Sequence, residues 1–248
     1  MKPMKAQIIK FTAILLLGIA TAGNLTAQNN SKVQTTLTPL QRHLIAVGAE
    51  TAQGDLPRLK QVLSAGLDSG LTINQAKEAI VHLYAYCGFP RSIRGLQTLM
   101  TVLEERKAKG ITDEPGRTAS PISDTSSKYE RGRKLLTQLT GAPQNRPTTG
   151  YGAFAPAIDV FLKEHLFADL FERDVLSHAE RELVTISVLS SIGGVEPMLN
   201  SHFNICLNVG ITPAQLQEFI GFIGSTVGSD AASSAQAVLE AVLKDKAR

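Results

Sequence analysis

The chain has no tryptophan, only two cysteines in 248 residues, and an aromatic content of 5%. So few flat rings argue against a platform that stacks sugars or single-stranded bases. Two cysteines exclude a disulfide framework and a cysteine-rich zinc site. His43, His82, His165, His178 and His202 show no metal-ligand spacing, so no metal is expected. No run of basic residues marks a nucleic-acid surface. The formal charge of +3 is itself misleading. Lys2, Lys5 and Lys10 lie in a first segment that holds no acid, and without them the balance is 22 basic against 22 acidic residues. Nucleic acid is therefore not an expected partner.

That first segment reads as an address. A basic stretch, Met1 to Lys10, is followed by ten apolar residues, Phe11 to Ala20. Two small-residue cleavage sites follow, Ala20-Thr21-Ala22 and Leu25-Thr26-Ala27. This is the order of a secretory signal peptide over residues 1–27, with a mature start near Gly23 or Gln28. The apolar run is too short to remain as a comfortable membrane span. The expectation is an exported, periplasmic or secreted protein that leaves the membrane after cleavage.

The remainder reads as helices joined by short turns, without strand alternation. Thr38-Pro39-Leu40-Gln41, Thr72-Ile73-Asn74-Gln75, Ser177-His178-Ala179-Glu180 and Thr212-Pro213-Ala214-Gln215 are capping boxes, each ahead of an apolar-periodic segment. Helices are predicted near 38–52, 56–69, 72–87 and 90–108, then 178–192, 195–208, 212–226 and 230–245. Gly88-Phe89-Pro90 should break the chain between two of them. Ala155 to Phe171 is predicted as one amphipathic helix with Ile158, Phe161, Leu162, Leu166 and Leu170 on its apolar face.

The two helix sets are copies. A shift of 140 places Pro57, Leu59, Gly70, Thr72, Gln75 and Glu78 on Pro197, Leu199, Gly210, Thr212, Gln215 and Glu218. Upstream the register slips by one, and Arg42-His43-Leu44 meets Arg181-Glu182-Leu183. The expected organisation is a first repeat over 38–108, a linker over 109–127 and a second repeat with a helical extension over 128–246. It is a pseudo-two-fold bundle, as if a homodimer had been fused.

Three marks of the second copy, taken with one of the first, form an ordered set. They are Phe167-Ala168-Asp169-Leu170-Phe171-Glu172-Arg173, Arg181-Glu182-Leu183-Val184, and His202 ahead of Leu207-Asn208-Val209-Gly210-Ile211-Thr212. The first copy adds Tyr84-Ala85-Tyr86-Cys87-Gly88-Phe89-Pro90. The set resembles the carboxymuconolactone decarboxylase family of the alkylhydroperoxidase D-like superfamily. The resemblance implies an all-α duplicated helical bundle, no cofactor, a small-molecule substrate and ring-like homo-oligomers, trimers or hexamers. Superfamily peroxidases carry a Cys-x-x-Cys before the histidine, and here those positions are Val195 and Met198. Disulfide cycling cannot run at that place.

His202 and Glu182 are the candidate acid–base pair, since a histidine near neutrality gives and takes protons at modest cost. Each also has a plainer reading, as a half-buried histidine and as a first-turn acid favoured by the helix dipole. The first copy has Val62 and His43 at these places and cannot host the same pair. The two residues should meet within hydrogen-bond reach, because antiparallel neighbouring helices bring them to one end. Tyr84, Tyr86 and Arg91 are candidate substrate-binding groups from the first copy, with Arg91 suited to a carboxylate. Cys87 and Cys206 either pair after export or sit as small buried hydrophobes. The expected activity is a decarboxylase-like reaction on a small carboxylated or lactone substrate. Export sets it apart from the cytoplasmic aromatic degradation for which the family is named. A peroxidase-like redox protein using those thiols, and a non-catalytic ligand-binding or assembly module, are the alternatives.

Overall fold

A computed structural model describes residues 35–247. The signal-peptide reading therefore falls outside the described residues. Eleven α-helices and one π-helix make up the described chain, with no strand among them. The first repeat consists of α1 (Pro39–Gln53), α2 (Leu56–Asp68), α3 (Ile73–His82) and α4 (Tyr84–Ala108). The second consists of α8 (His178–Ile192), α9 (Glu196–Asn208), α10 (Pro213–Thr226) and α11 (Ser229–Lys246). Between them lie α5 (Lys128–Thr140), α6 (Gly150–Phe154), α7 (Pro156–Phe161) and the π-helix (Leu162–Leu170).

All four capping boxes form, with Thr38, Thr72, Ser177 and Thr212 each accepting from the third helical N–H. The duplication extends to backbone detail. Gly70 and Gly210 both have φ 93°, a left-handed value that suits glycine. Leu71 donates to the Gly66 carbonyl and Ile211 to that of Cys206, each at 2.9 Å. These are the same helix stop written twice.

Helices α1 and α8 pack against each other at the centre and are buried along most of their length, Leu44 to Ala52 and Arg181 to Ser190. A Cβ added to Gly48 of α1 would strike the Ser187 hydroxyl of α8, so the two backbones approach closely there. Each helix also serves the other repeat's core. Ile45 of α1 packs with Phe203, Phe219 and Leu239, while Val184 and Val188 of α8 pack with Leu59, Leu63 and Ile80. Burial of these aliphatic and aromatic side chains, on the order of 1.5–3 kcal/mol each, is what holds the two copies as one body.

Two segments differ from the sequence reading. The helix expected over 72–87 ends at His82, and a turn leads into α4, where Gly88 (φ 81°, ψ 160°) breaks the helical path ahead of Pro90. The segment 155–171 is α-helical only to Phe161 and then turns into the π-helix. A wider turn moves the buried face, so Lys163, Phe167, Ala168 and Leu170 are buried while Ile158 and Phe161 are exposed. The linker has no regular structure between α4 and α5, yet it is tied down. Ile73 and Asn74 donate to the Glu114 and Pro115 carbonyls, and Asp113 takes the Arg106 guanidinium.

Candidate active site

Ser177 caps α8 and thereby sets the direction of its first turns. Arg181 and Glu182 follow on the buried side, both without exposed surface. A tight turn at Gly193-Gly194 returns the chain as α9, which carries His202 back to the start of α8. His202 Nδ1 and Glu182 Oε2 are 2.7 Å apart. The carboxylate accepts the Nδ1 hydrogen, which leaves Nε2 as the ring nitrogen free to exchange a proton with a substrate. The His202 side chain keeps 12% of its surface exposed, against 0% for Glu182, so the pair has an inner and an outer end.

Tyr86, from the first repeat, closes the pair from the other side. Its ring meets His202 edge to face, with centroids 5.7 Å apart. Tyr86 touches the apolar cores of both copies. Burial, and next the charge of Glu182, push its hydroxyl well above the usual tyrosine range, so it stays protonated. Neither the Tyr86 hydroxyl nor Glu182 Oε1, both buried, has a hydrogen-bond partner among the described residues. Unpartnered buried polar atoms are uncommon and mark a place where a ligand or water is expected.

Tyr84 and Arg91 are placed differently. Tyr84 stacks on Phe89 at 4.5 Å, with His165 at 5.6 Å. Arg91 is exposed beyond the Gly88 break, and its guanidinium lies over Gly54 at the end of α1. Neither makes a hydrogen bond or ion pair with His202 or Glu182. Cys87 and Cys206 are free thiols, not a disulfide. Burial pushes the Cys87 thiol up to about 11, with Arg91 only partly offsetting it. Cys206, fully buried one turn past His202, is raised well above its ordinary value by burial and then by Glu182. Among the described residues no group of three or more His, Cys, Asp and Glu could hold a metal ion.

His82 and Thr185 are functional candidates that the sequence reading passed over. His82 is fully buried and bonded to Thr185 at 2.9 Å, with the Tyr86 ring 5.5 Å away. Burial, and then the charges of Arg181 and His202, hold its pKa well below the ordinary histidine value. Its signal was weak: a lone histidine at the end of an amphipathic helix, whose partners stand about 100 residues away.

Comparison with known proteins agrees with this architecture. The chain is 29% identical over 119 residues to a 4-carboxymuconolactone decarboxylase of Acinetobacter baylyi (strain ATCC 33305 / BD413 / ADP1). The match takes 88% of that protein and only 48% of this chain, as a duplicated relative would give. The family description matches twice, over residues 21–99 and 156–241, once for each copy. This chain belongs to the carboxymuconolactone decarboxylase family.

Proposed function

We propose that the protein is a lyase that removes carbon dioxide from a small carboxylated, lactone-like molecule, with His202 and Glu182 as its proton-transfer pair. The observation that carries this reading is the 2.7 Å contact between a wholly buried carboxylate and a histidine whose outer edge reaches the surface. In such a reaction the bond to the carboxylate carbon breaks and carbon dioxide leaves. The electron pair passes into an adjacent carbonyl as an enolate. Imidazolium Nε2–H of His202 then gives its proton to the carbon, and the ring is reprotonated from water. Glu182 holds the ring through Nδ1–H and balances its charge while it is cationic. Arg91, on the exposed side of the Gly88 break, is the candidate anchor for a second carboxylate of the substrate, and Tyr84 for its rim.

The name of the bacterial relative supplies the first compound to try, 4-carboxymuconolactone, followed by other carboxylated lactones. Wild-type protein should release carbon dioxide from at least one of them. His202→Ala should lower kcat by about 10²–10⁴-fold, the usual worth of a positioned acid–base group. Equal turnover by wild type and His202→Ala would overturn the assignment of His202, and no turnover of any such compound by wild type would leave a ligand-binding module. A thiol peroxidase is the weaker reading, because neither cysteine is held in an electropositive setting that would favour its thiolate. On the same proposal residues 1–27 are a signal peptide, the substrate is met outside the cytoplasm, and the protein assembles as a trimer or hexamer. Intact mass and light scattering of protein from the producing cell check those points.

A further inference from the structure

Behind the acid–base pair runs a polar seam that draws on both repeats. Arg181 is its cationic end. One terminal nitrogen donates to Glu78 Oε1 at 2.6 Å and to the Arg173 carbonyl, and the other lies 3.4 Å from His82 Nδ1. His82 Nε2 is 2.9 Å from Thr185 Oγ1. The Tyr86 ring lies 5.5 Å from that of His82, and its buried hydroxyl has no hydrogen-bond partner among the described residues. The same Tyr86 ring lies 5.7 Å from that of His202, which contacts Glu182 Oε2; Glu182 Oε1, one helical turn from Thr185 on α8, is buried and likewise unpartnered.

The chemistry of these groups allows one direction of donation. A guanidinium donates and never accepts, so His82 Nδ1 must offer its lone pair. A fully buried His82 beside a cation is neutral, and a neutral ring with a bare Nδ1 carries its hydrogen on Nε2. That hydrogen goes to Thr185 Oγ1. The threonine hydroxyl has one hydrogen of its own, left to point at Tyr86. Tyr86, receiving there, has its own hydrogen to give onward, and the unused acceptor ahead of it is Glu182 Oε1.

We propose that His82, Thr185 and Tyr86 form a one-directional hydrogen-bond relay from Arg181 of the second repeat, through the first, to the free oxygen of Glu182, and that His82 and Thr185 are positioning residues for the acid–base pair. The links from Thr185 to Tyr86 and from Tyr86 to Glu182 are each closed by a small shift or by one water, for which the unpartnered Tyr86 hydroxyl and Glu182 Oε1 provide polar partners. With Oε1 held by Tyr86 and Oε2 by His202, the carboxylate cannot rotate and the histidine keeps one orientation. The proposal rests on the reading of His202 and Glu182 as the acid–base pair.

The test uses the whole protein at rest, without substrate. Nitrogen-15 NMR of labelled histidine rings should find His82 as the Nε2–H tautomer. An Nδ1–H tautomer or a cationic ring would overturn the relay. The Tyr86 hydroxyl proton, identified by its disappearance in Tyr86→Phe, should be protected from exchange with water, and absence of any such signal would also overturn it. Thr185→Val should abolish that protection and Thr185→Ser should keep it. If Thr185→Val does not fold, His82→Leu and His82→Gln give the same contrast, since glutamine can accept from Arg181 and donate to Thr185. Unchanged protection in the apolar variant would sink the proposal. Because no turnover is measured, the relay can fail while His202→Ala still abolishes decarboxylation, and the reverse.

Discussion

His82 has a measurable consequence beyond the site. Its folded pKa lies well below the ordinary histidine value because burial, and then Arg181, disfavour the cation. The unfolded chain, with a pKa of about 6.5, binds the proton more readily. Stability is therefore intact above that pH and is lost as pH falls below it, by at most about 1.4 kcal/mol per pH unit for one group. His43 and His178, both lowered chiefly by burial, act in the same direction. The urea midpoint should drop between pH 7 and pH 5, and His82→Gln should flatten that dependence. A variant as pH-sensitive as wild type would show that the lost stability lies elsewhere. The cysteines make a second residue-scale prediction. With both thiols raised, native protein at pH 7.5 should react slowly with a disulfide reagent at Cys87 and not at all at Cys206. Urea should release two thiols. Fast reaction of either in the native state would revive the redox reading.

At the scale of elements, helix starts were legible because a capping box is local. Threonine or serine and a glutamine or glutamate three residues on satisfy each other without help from the rest of the fold. The π-helix was not legible. Its sequence carries a fair α-helical apolar stripe, but burial follows the wider turn that brings Lys163 inside to Asp159 at 2.7 Å and to the Tyr129 hydroxyl at 3.1 Å. The position is set by α5, where Gly132 leaves no room between the helices. A Cβ there would stand 1.7 Å from the Lys163 carbonyl oxygen, and backbone cannot swing aside as a side chain can. Gly132→Ala should therefore cost about 1–3 kcal/mol in chemical denaturation, as overpacking does, despite alanine's better helix propensity. A stabilised variant would mean that α5 is free to move off the π-helix.

For the molecule as a whole, the duplication has left two equivalent ion pairs with unequal weight. Arg42 of the first copy meets Glu218 of the second at 2.6 Å, and Arg181 of the second meets Glu78 of the first at the same distance. This reciprocal pattern is what a two-fold interface gives, each partner offering its arginine to the other's glutamate. The first pair is largely in water, while Arg181 and Glu78 are 0% and 5% exposed. Glu78→Gln should cost about 3–5 kcal/mol, because it strands a buried guanidinium. Glu218→Gln should cost about 1 kcal/mol or less from its ion pair, since exposed pairs contribute little. Thermal melts of the two variants compare them directly, and equal losses would refute the asymmetry.

Fold class, the duplication and the approach of Glu182 to His202 could all be read along the chain. They depend on caps, apolar period and the turn between adjacent helices, all of which act over a few residues. Which first-copy groups stand at the pair could not. The choice of Tyr86 over Tyr84 turns on how the Gly88 break directs a short segment between two cores, and residues two apart there share the same chemistry. The burial of Arg181 and the bonding of His82 to Thr185 join residues about 100 positions apart, and only the packing of α3 against α8 brings them together. Local pattern specifies what each helix is, while long-range packing decides which of its polar residues are taken out of water and therefore which can do chemistry.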